Sequence, residues 1–173
     1  MKAKVIFLDI DGVLATVKQY ATKKSSPHYL HDYDVYPYDG KCVKILNEIL
    51  EETDAEIILS SDWSLHYTLE QMNGIFKHNG IVKSPFDMIT QLAISMSSSS
   101  MNRGYSIDQY FKEHSDEFEN YVIIDDLDIR KYTRHTNNQS FDYDNFVHCT
   151  RGDFEGIKQT GIKEKILKVL NKE

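Results

Sequence analysis

Residues 5–8 are Val-Ile-Phe-Leu, and they run without a polar break into Asp9-Ile10-Asp11-Gly12-Val13-Leu14. Such a continuous apolar run reads as a strand buried on both faces, the kind found in a parallel sheet. The ligand crevice of a parallel sheet lies at the C-terminal ends of its strands. This strand delivers two aspartates there, two residues apart, so their carboxylates share one side for as long as the chain stays extended. Gly12 then permits a sharp turn. Two carboxylates at the mouth of a buried strand are costly to hold unless a ligand uses them, and a divalent cation with a phosphoryl group matches that need. An EF-hand loop also begins Asp-x-Asp, but its fifth position would fall on Val13, and the preceding run is strand-like, not helical. No Gly-x-Gly-x-x-Gly dinucleotide fingerprint occurs here, while an inert Asp-x-Asp-Gly turn stays open on this motif alone.

The rest of the chain alternates strand and helix. Lys4–Asp9 is the first strand. Cys42, Leu46, Ile49 and Leu50 recur at helical spacing after Asp39-Gly40, giving an amphipathic helix to about Glu52. Glu56–Ser60 is a second buried strand. Leu65, Leu69, Met72 and Phe76 mark a helix closed by Asn79-Gly80. Ser84-Pro85-Phe86-Asp87 reads as a helix start, with an N-cap serine and proline at the first helical position. Ile89, Leu92, Ala93 and Met96 continue that helix until Ser97–Ser100 break it as a loop. Ile107 to Phe118 predicts a further helix, Tyr121–Asp125 a third strand, Phe146–Thr150 a fourth, and Ile162, Ile166 and Leu170 a closing helix. Such alternation argues for a parallel sheet covered by helices on both faces.

Length and charge bound the partners. A chain of 173 residues suffices for one domain with its own core, so residues 1–173 are expected to form a single unit. No segment approaches the roughly 20 apolar residues of a membrane span, and Asp9 and Asp11 interrupt the first apolar run too early for a signal peptide. The two cysteines, Cys42 and Cys149, have no metal-like spacing and read as reduced thiols of a cytoplasmic protein. A net charge of −7 disfavours coating nucleic acid by charge alone, though not gripping one phosphorylated end. His28 and His31 read as solvated loop histidines in preference to a zinc site.

Three buried strands end in groups suited to phosphate chemistry. The first ends in Asp9 and Asp11, the second in Ser60-Ser61-Asp62-Trp63, the third in Asp125 and Asp126. Because the strand ends of a parallel sheet share one edge, these distant residues can meet. With these motifs in view, nearly the whole chain resembles the haloacid dehalogenase (HAD) superfamily. Its pattern is Asp-x-Asp after strand one, Ser or Thr after strand two, a Lys or Arg before the last motif, and paired acids after a later strand. The stretches Phe7–Leu14, Leu59–Trp63 and Ile123–Asp126 look most like the small HAD-like domain of Swiss Army Knife RNA repair proteins. Arg103-Gly104 and Gly156-Ile157 fit that branch as well, while Ser64 stands where it would carry an arginine.

The resemblance implies an α/β, HAD-like Rossmannoid three-layer fold with a central parallel sheet. It implies that Asp9 attacks phosphorus, that Asp11 protonates the leaving oxygen and then activates water, and that Mg²⁺ is held by Asp9, Asp11 through its backbone carbonyl, Asp125 and Asp126, the last acting mainly through a bound water. Ser60 would donate to a phosphoryl oxygen, with Ser61 as its rival. Arg103 would supply the cation, with Lys83 and Lys112 as rivals, and Gly12 would border the substrate. An acid at position 11 points to a phosphatase, not a dehalogenase.

Larger family members carry a cap over the site, inserted after the first motif or before the acid pair. Neither interval here is long enough for a folded cap. The fold is therefore expected to be capless and the site open. The first interval, residues 13–41, reads as a flap that interleaves bases and aromatics: Lys18, Tyr20, Lys23, Lys24, His28, Tyr29, His31, Tyr33, Tyr36 and Tyr38. Such a mixture grips single-stranded nucleic acid, with Lys23 and Lys24 on its phosphates; alternatively its tyrosines pack on the core, and Asp32, Asp34 and Asp39 dilute its charge. The expected partner is a phosphorylated substrate, a nucleotide or a nucleic-acid end. The alternatives are a small-molecule phosphatase such as a nucleotidase, or a binding module that no longer turns over.

Overall fold

The computed structural model describes residues 2–17, 24–26, 29–89, 99–130 and 139–172. Five strands form one parallel sheet: β1 (Ala3–Leu8), β2 (Glu56–Leu59), β3 (Asp87–Met88), β4 (Phe118–Asp125) and β5 (Phe146–His148), in the order β3-β2-β1-β4-β5. The helices are α1 (Gly40–Thr53), α2 (Leu69–His78), α3 (Ser99–His114) and α4 (Ile162–Leu170). β1 is the central strand, in register with β2 from Val5↔Glu56 to Leu8↔Leu59 and with β4 up to Leu8↔Ile124.

The apolar run of β1 serves two cores at once, as its alternation requires. Ile6 and Leu8 join Ile57, Leu59, Val122 and Ile124 on one face, where α1, α2 and α4 pack through Leu46, Ile49, Met72, Phe76, Ile166 and Leu170. Val5 and Phe7 join Ile58 and Ile123 on the other, against Ile107 and Phe111 of α3. Phe7 is fully buried, with Tyr110, Phe111, Phe118 and Tyr121 around its ring. Truncating it to alanine is worth about 3–5 kcal/mol. The helix starts are written locally: the Asp39 side chain accepts from Lys41 N and Cys42 N at the head of α1, and Thr68 with Gln71 makes a capping box on α2. Among the described residues, no helix is long and apolar enough to cross a membrane.

The helix predicted to start at Ser84 is the main correction. Asp87–Met88 form the edge strand β3 instead, with Phe86 N donating to Ile57 O and Ile89 N to Leu59 O, both at 2.8 Å. Ser-Pro-x-Asp suits a helix start, but Pro85 also favours an extended neighbour before it, and the open edge of β2 supplies partners for the backbone. The expected continuation through Leu92, Ala93 and Met96 lies outside the described residues. Ser99 and Ser100, read as loop, belong to α3, and Phe118 opens β4 after α3 ends at His114.

Residues between β1 and α1 hold a short 3₁₀ turn, His31–Tyr33, and an isolated bridge between Leu30 and Val35. Tyr29, Val35 and Tyr38 are buried there. The flap's described tyrosines therefore lean toward packing, and among the described residues no folded unit stands over the C-terminal edge of the sheet.

Candidate active site

β1 stays in the ladder one residue past its end, since Asp9 N donates to Ile124 O at 3.0 Å. The chain then curls. Ile10 O accepts from the backbone N–H of Val13, Leu14 and Ala15 at 3.2, 2.8 and 2.9 Å. The extension that would align Asp9 and Asp11 thus ends at Ile10. Gly12 sits in the turn at φ +72°, a conformation in which a side chain is strained. A Cβ at Gly12 would also run into the Asp126 carboxylate, and one at Gly152 would stand 2.6 Å from Asp126 Cβ. Two glycines therefore let the strand-four acid lie flat against the first turn.

Arg103, in the second turn of α3, joins the strand ends. Its Nη1 lies 3.0 Å from Asp9 Oδ1 and 2.7 Å from Asp125 Oδ2, and its Nη2 lies 2.9 Å from Asp62 Oδ1. Arg103 and Asp9 are each 3% exposed and Asp125 is fully buried, so these charges meet out of water. The contact with Asp125 is an aligned hydrogen bond, whereas Asp9 Oδ1 is approached by the charge without an aligned donor. Asp125 Oδ1 accepts from Leu127 N at 2.8 Å. The rival cations are committed elsewhere: Lys83 to Asp54 and Glu56 at the opposite end of β2, Lys112 to Asp108.

Burial pushes the carboxyl of Asp9 above its usual range, outweighing Arg103. Burial raises Asp125 well above its ordinary value in the same way. Asp126 is pushed up to about 6, by burial first and then by the charge of Asp9. Burial opposes the charge on Arg103, but the carboxylates of Asp9, Asp125 and Asp62 win and hold its guanidinium firmly protonated. The cluster thus carries more negative charge than Arg103 offsets. Oxygens of Asp9, Asp125 and Asp126 lie within 4.8 Å of one another. Hard carboxylate oxygens in that number are the donor set of Mg²⁺, and an Asp9 oxygen lacking an aligned donor suits a ligand. The residues present fit a divalent cation.

Ser60 and Ser61 are both buried after β2. The Ser61 hydroxyl hydrogen-bonds Asp9, and Ser61 Oγ also accepts from Trp63 N at 3.5 Å. Of the two serines, Ser61 is the one seen on Asp9. Lys24 is exposed, 2.5 Å from Asp34 Oδ1, and over the ring of Tyr29. Lys23, like Lys18, Tyr20 and His28, lies outside the described residues, and His31 is exposed.

Sequence reasoning quoted two further participants in the strand-two ending without giving either a role. Asp62, 57% exposed at its side chain, is the third carboxylate on Arg103. Trp63 Nε1 donates to Asp11 Oδ2 at 2.8 Å. Both adjoin a flagged serine pair, but an acid and an indole after a strand carry no signal until the sheet edge brings Arg103 and Asp11 to them.

No curated protein and no solved structure matches the chain. A family model does, that of the HAD domain in Swiss Army Knife RNA repair proteins, over residues 5–157. The matched span begins in β1 and ends just past the loop that carries Gly152, so it takes in every strand of the sheet and all of the acids gathered at its edge. The chain belongs to the family of HAD domains found in Swiss Army Knife RNA repair proteins.

Proposed function

We propose that this protein is a Mg²⁺-dependent phosphomonoester hydrolase working through an aspartyl-phosphate on Asp9, with nucleotide or nucleic-acid end phosphates as its substrates. The observation that carries the reading is Arg103 Nη1 bridging Asp9 and Asp125, at 3.0 and 2.7 Å. A buried cation between two buried acids, at the edge where a parallel sheet binds ligands, is an expensive arrangement for a fold to keep without chemistry. HAD membership supports hydrolase chemistry on phosphates.

In this reading an oxygen of Asp9 bonds to phosphorus as the bond to the leaving oxygen breaks, and Asp11 gives that oxygen a proton. Asp11 then takes a proton from water as the water oxygen bonds to phosphorus and the Asp9–phosphorus bond breaks, which frees phosphate and restores both acids. Arg103 favours the ionised form of Asp9 against the cost of its burial and offsets charge on the phosphoryl oxygens, and Ser61 or Ser60 donates to one of them. Asp9, Asp125, Asp126 and the Asp11 backbone carbonyl would hold Mg²⁺, which when bound supplies positive charge opposite the transferring group. Gly12 shapes the turn that borders the substrate. The reading takes residues 1–173 as one capless domain, and an open edge admits a polynucleotide end.

The test is phosphate release from an aryl phosphate, nucleotides, and 5′- and 3′-phosphorylated oligonucleotides, with Mg²⁺ and with a chelator. Mg²⁺-dependent release that favours oligonucleotides supports the reading. Release from nucleotides alone favours a nucleotidase, and no release from any of them leaves a binding module.

A further inference from the structure

Trp63 is the sole tryptophan of the chain and makes a contact that the chemistry above leaves unused. Its indole N–H points at Asp11 Oδ2 from 2.8 Å. The ring is fixed on both sides. Tyr38 meets it edge-on with centroids 5.7 Å apart, and Tyr67 lies tilted at 5.4 Å. Tyr38 itself is buried and packs on Phe76, while the Tyr67 hydroxyl donates to Tyr33 O at 2.9 Å. The indole is thus set in a wall built partly from the flap, and its own backbone N–H rests on Ser61.

We propose that Trp63 is a positioning residue that fixes the carboxyl of Asp11 for proton transfer, and that Tyr38 of the flap, with Tyr67, serves to hold that indole in place. This rests on the phosphatase reading of Asp11. A carboxyl on a turn can rotate about its Cβ–Cγ bond, and a bond to one oxygen stops that rotation. An indole N–H donates and never accepts. Oδ2 therefore cannot carry the acid proton toward Trp63, and the proton of the acid form rides on Oδ1. That oxygen gives its proton to the leaving oxygen as the phosphorus–oxygen bond breaks, then takes one from the attacking water. The same arrangement gives Tyr38 of the flap a task other than stacking on bases.

The substitution is Trp63→Phe, which keeps a ring against Tyr38 and Tyr67 and removes the N–H. An aryl phosphate with a good leaving group needs little proton donation, whereas an alkyl phosphomonoester needs it fully. The expected result is a loss in kcat/KM, which covers only the steps up to departure of the leaving group, at least about tenfold greater on the alkyl ester than on p-nitrophenyl phosphate. Equal losses on both esters overturn the proposal, because misfolding or loosened packing does not sort substrates by leaving group. A second measurement needs no turnover. The one indole N–H resonance should move upfield in Asp11→Ala, and an unmoved resonance overturns the proposal even if both variants are inactive. If the wild type hydrolyses neither ester, the phosphatase reading fails, while the resonance still decides whether Trp63 holds Asp11.

Discussion

Asp9→Asn should have effects of opposite sign on catalysis and on stability. The amide keeps the shape of the carboxylate but is a poor nucleophile, so phosphate release should fall on the order of 10³-fold or more. Stability in the absence of metal should rise. Asp9 is a buried acid whose carboxyl is pushed up despite Arg103, so its charge costs the fold more than the ion pair returns. Asparagine removes that charge, and Arg103 keeps Asp125 and Asp62 as partners. The net gain is about 1–2 kcal/mol. For a chain of this size that raises Tm by about 2–8 °C. Magnesium should reverse the order, since binding stabilises by RT ln(1 + [L]/Kd), about 2.7 kcal/mol at a hundred times Kd, and the variant has lost a ligand charge. The assay is thermal unfolding of both proteins in chelator and in a Mg²⁺ series, beside phosphate release. A variant that unfolds below wild type in chelator would refute the view that the site holds surplus negative charge, and activity that survives would remove Asp9 as the nucleophile.

Three further outcomes are expected. Asp126 binds a proton more tightly folded than unfolded, its carboxyl moving from 3.8 to about 6, so metal-free stability should fall as pH rises from about 4 through 6. The ceiling is about 3 kcal/mol, cut by solvent screening to about 1–2, and Mg²⁺ should raise Tm more at pH 7.5 than at pH 5; a flat profile in chelator would refute it. Gly12→Ala forces a side chain into a φ of +72° and against Asp126, so calorimetry should show Mg²⁺ affinity reduced about tenfold or more. Lys24→Ala should change oligonucleotide turnover less than about twofold, because its ammonium is spent on exposed Asp34; a large loss with a flattened salt dependence would restore Lys24 as a phosphate contact.

How far each feature could be read from the sequence follows its physics. β1, β2 and β4 are apolar on both faces, so continuous runs such as Val122–Ile124 announce them and the acids at their ends come with them. β3 is two residues long and exists because β2 has an open edge, a tertiary fact that a Ser-Pro-x-Asp sequence cannot report. Family pattern favoured Arg103 and left Lys83 and Lys112 as rivals, and the three-way grip of Arg103 on Asp9, Asp125 and Asp62 depends on where the fold sets α3. The flap's alternation of tyrosine and lysine fits either gripping or packing, and only burial separates them, as Tyr29 and Tyr38 show. Trp63 stood in the quoted motif without a role because its partner lies 52 residues earlier.

The placement of β1 has a consequence for how the protein is made. It is translated before both of its partners, for it pairs on one side with β2 and on the other with β4, which spans Phe118–Asp125. Later still, Ile157 N bonds Val13 O at 3.0 Å and Asp153 O accepts from Val17 N at 2.8 Å, sewing the first turn to a loop made after every strand of the sheet. Until β4 emerges, a strand with two apolar faces waits with one edge bare, the form of nascent chain most prone to clump. The same delay keeps the carboxylates of Asp9 and Asp125 apart until β4 has been made, so the strand that carries Asp9 waits on a partner far downstream before its centre can work.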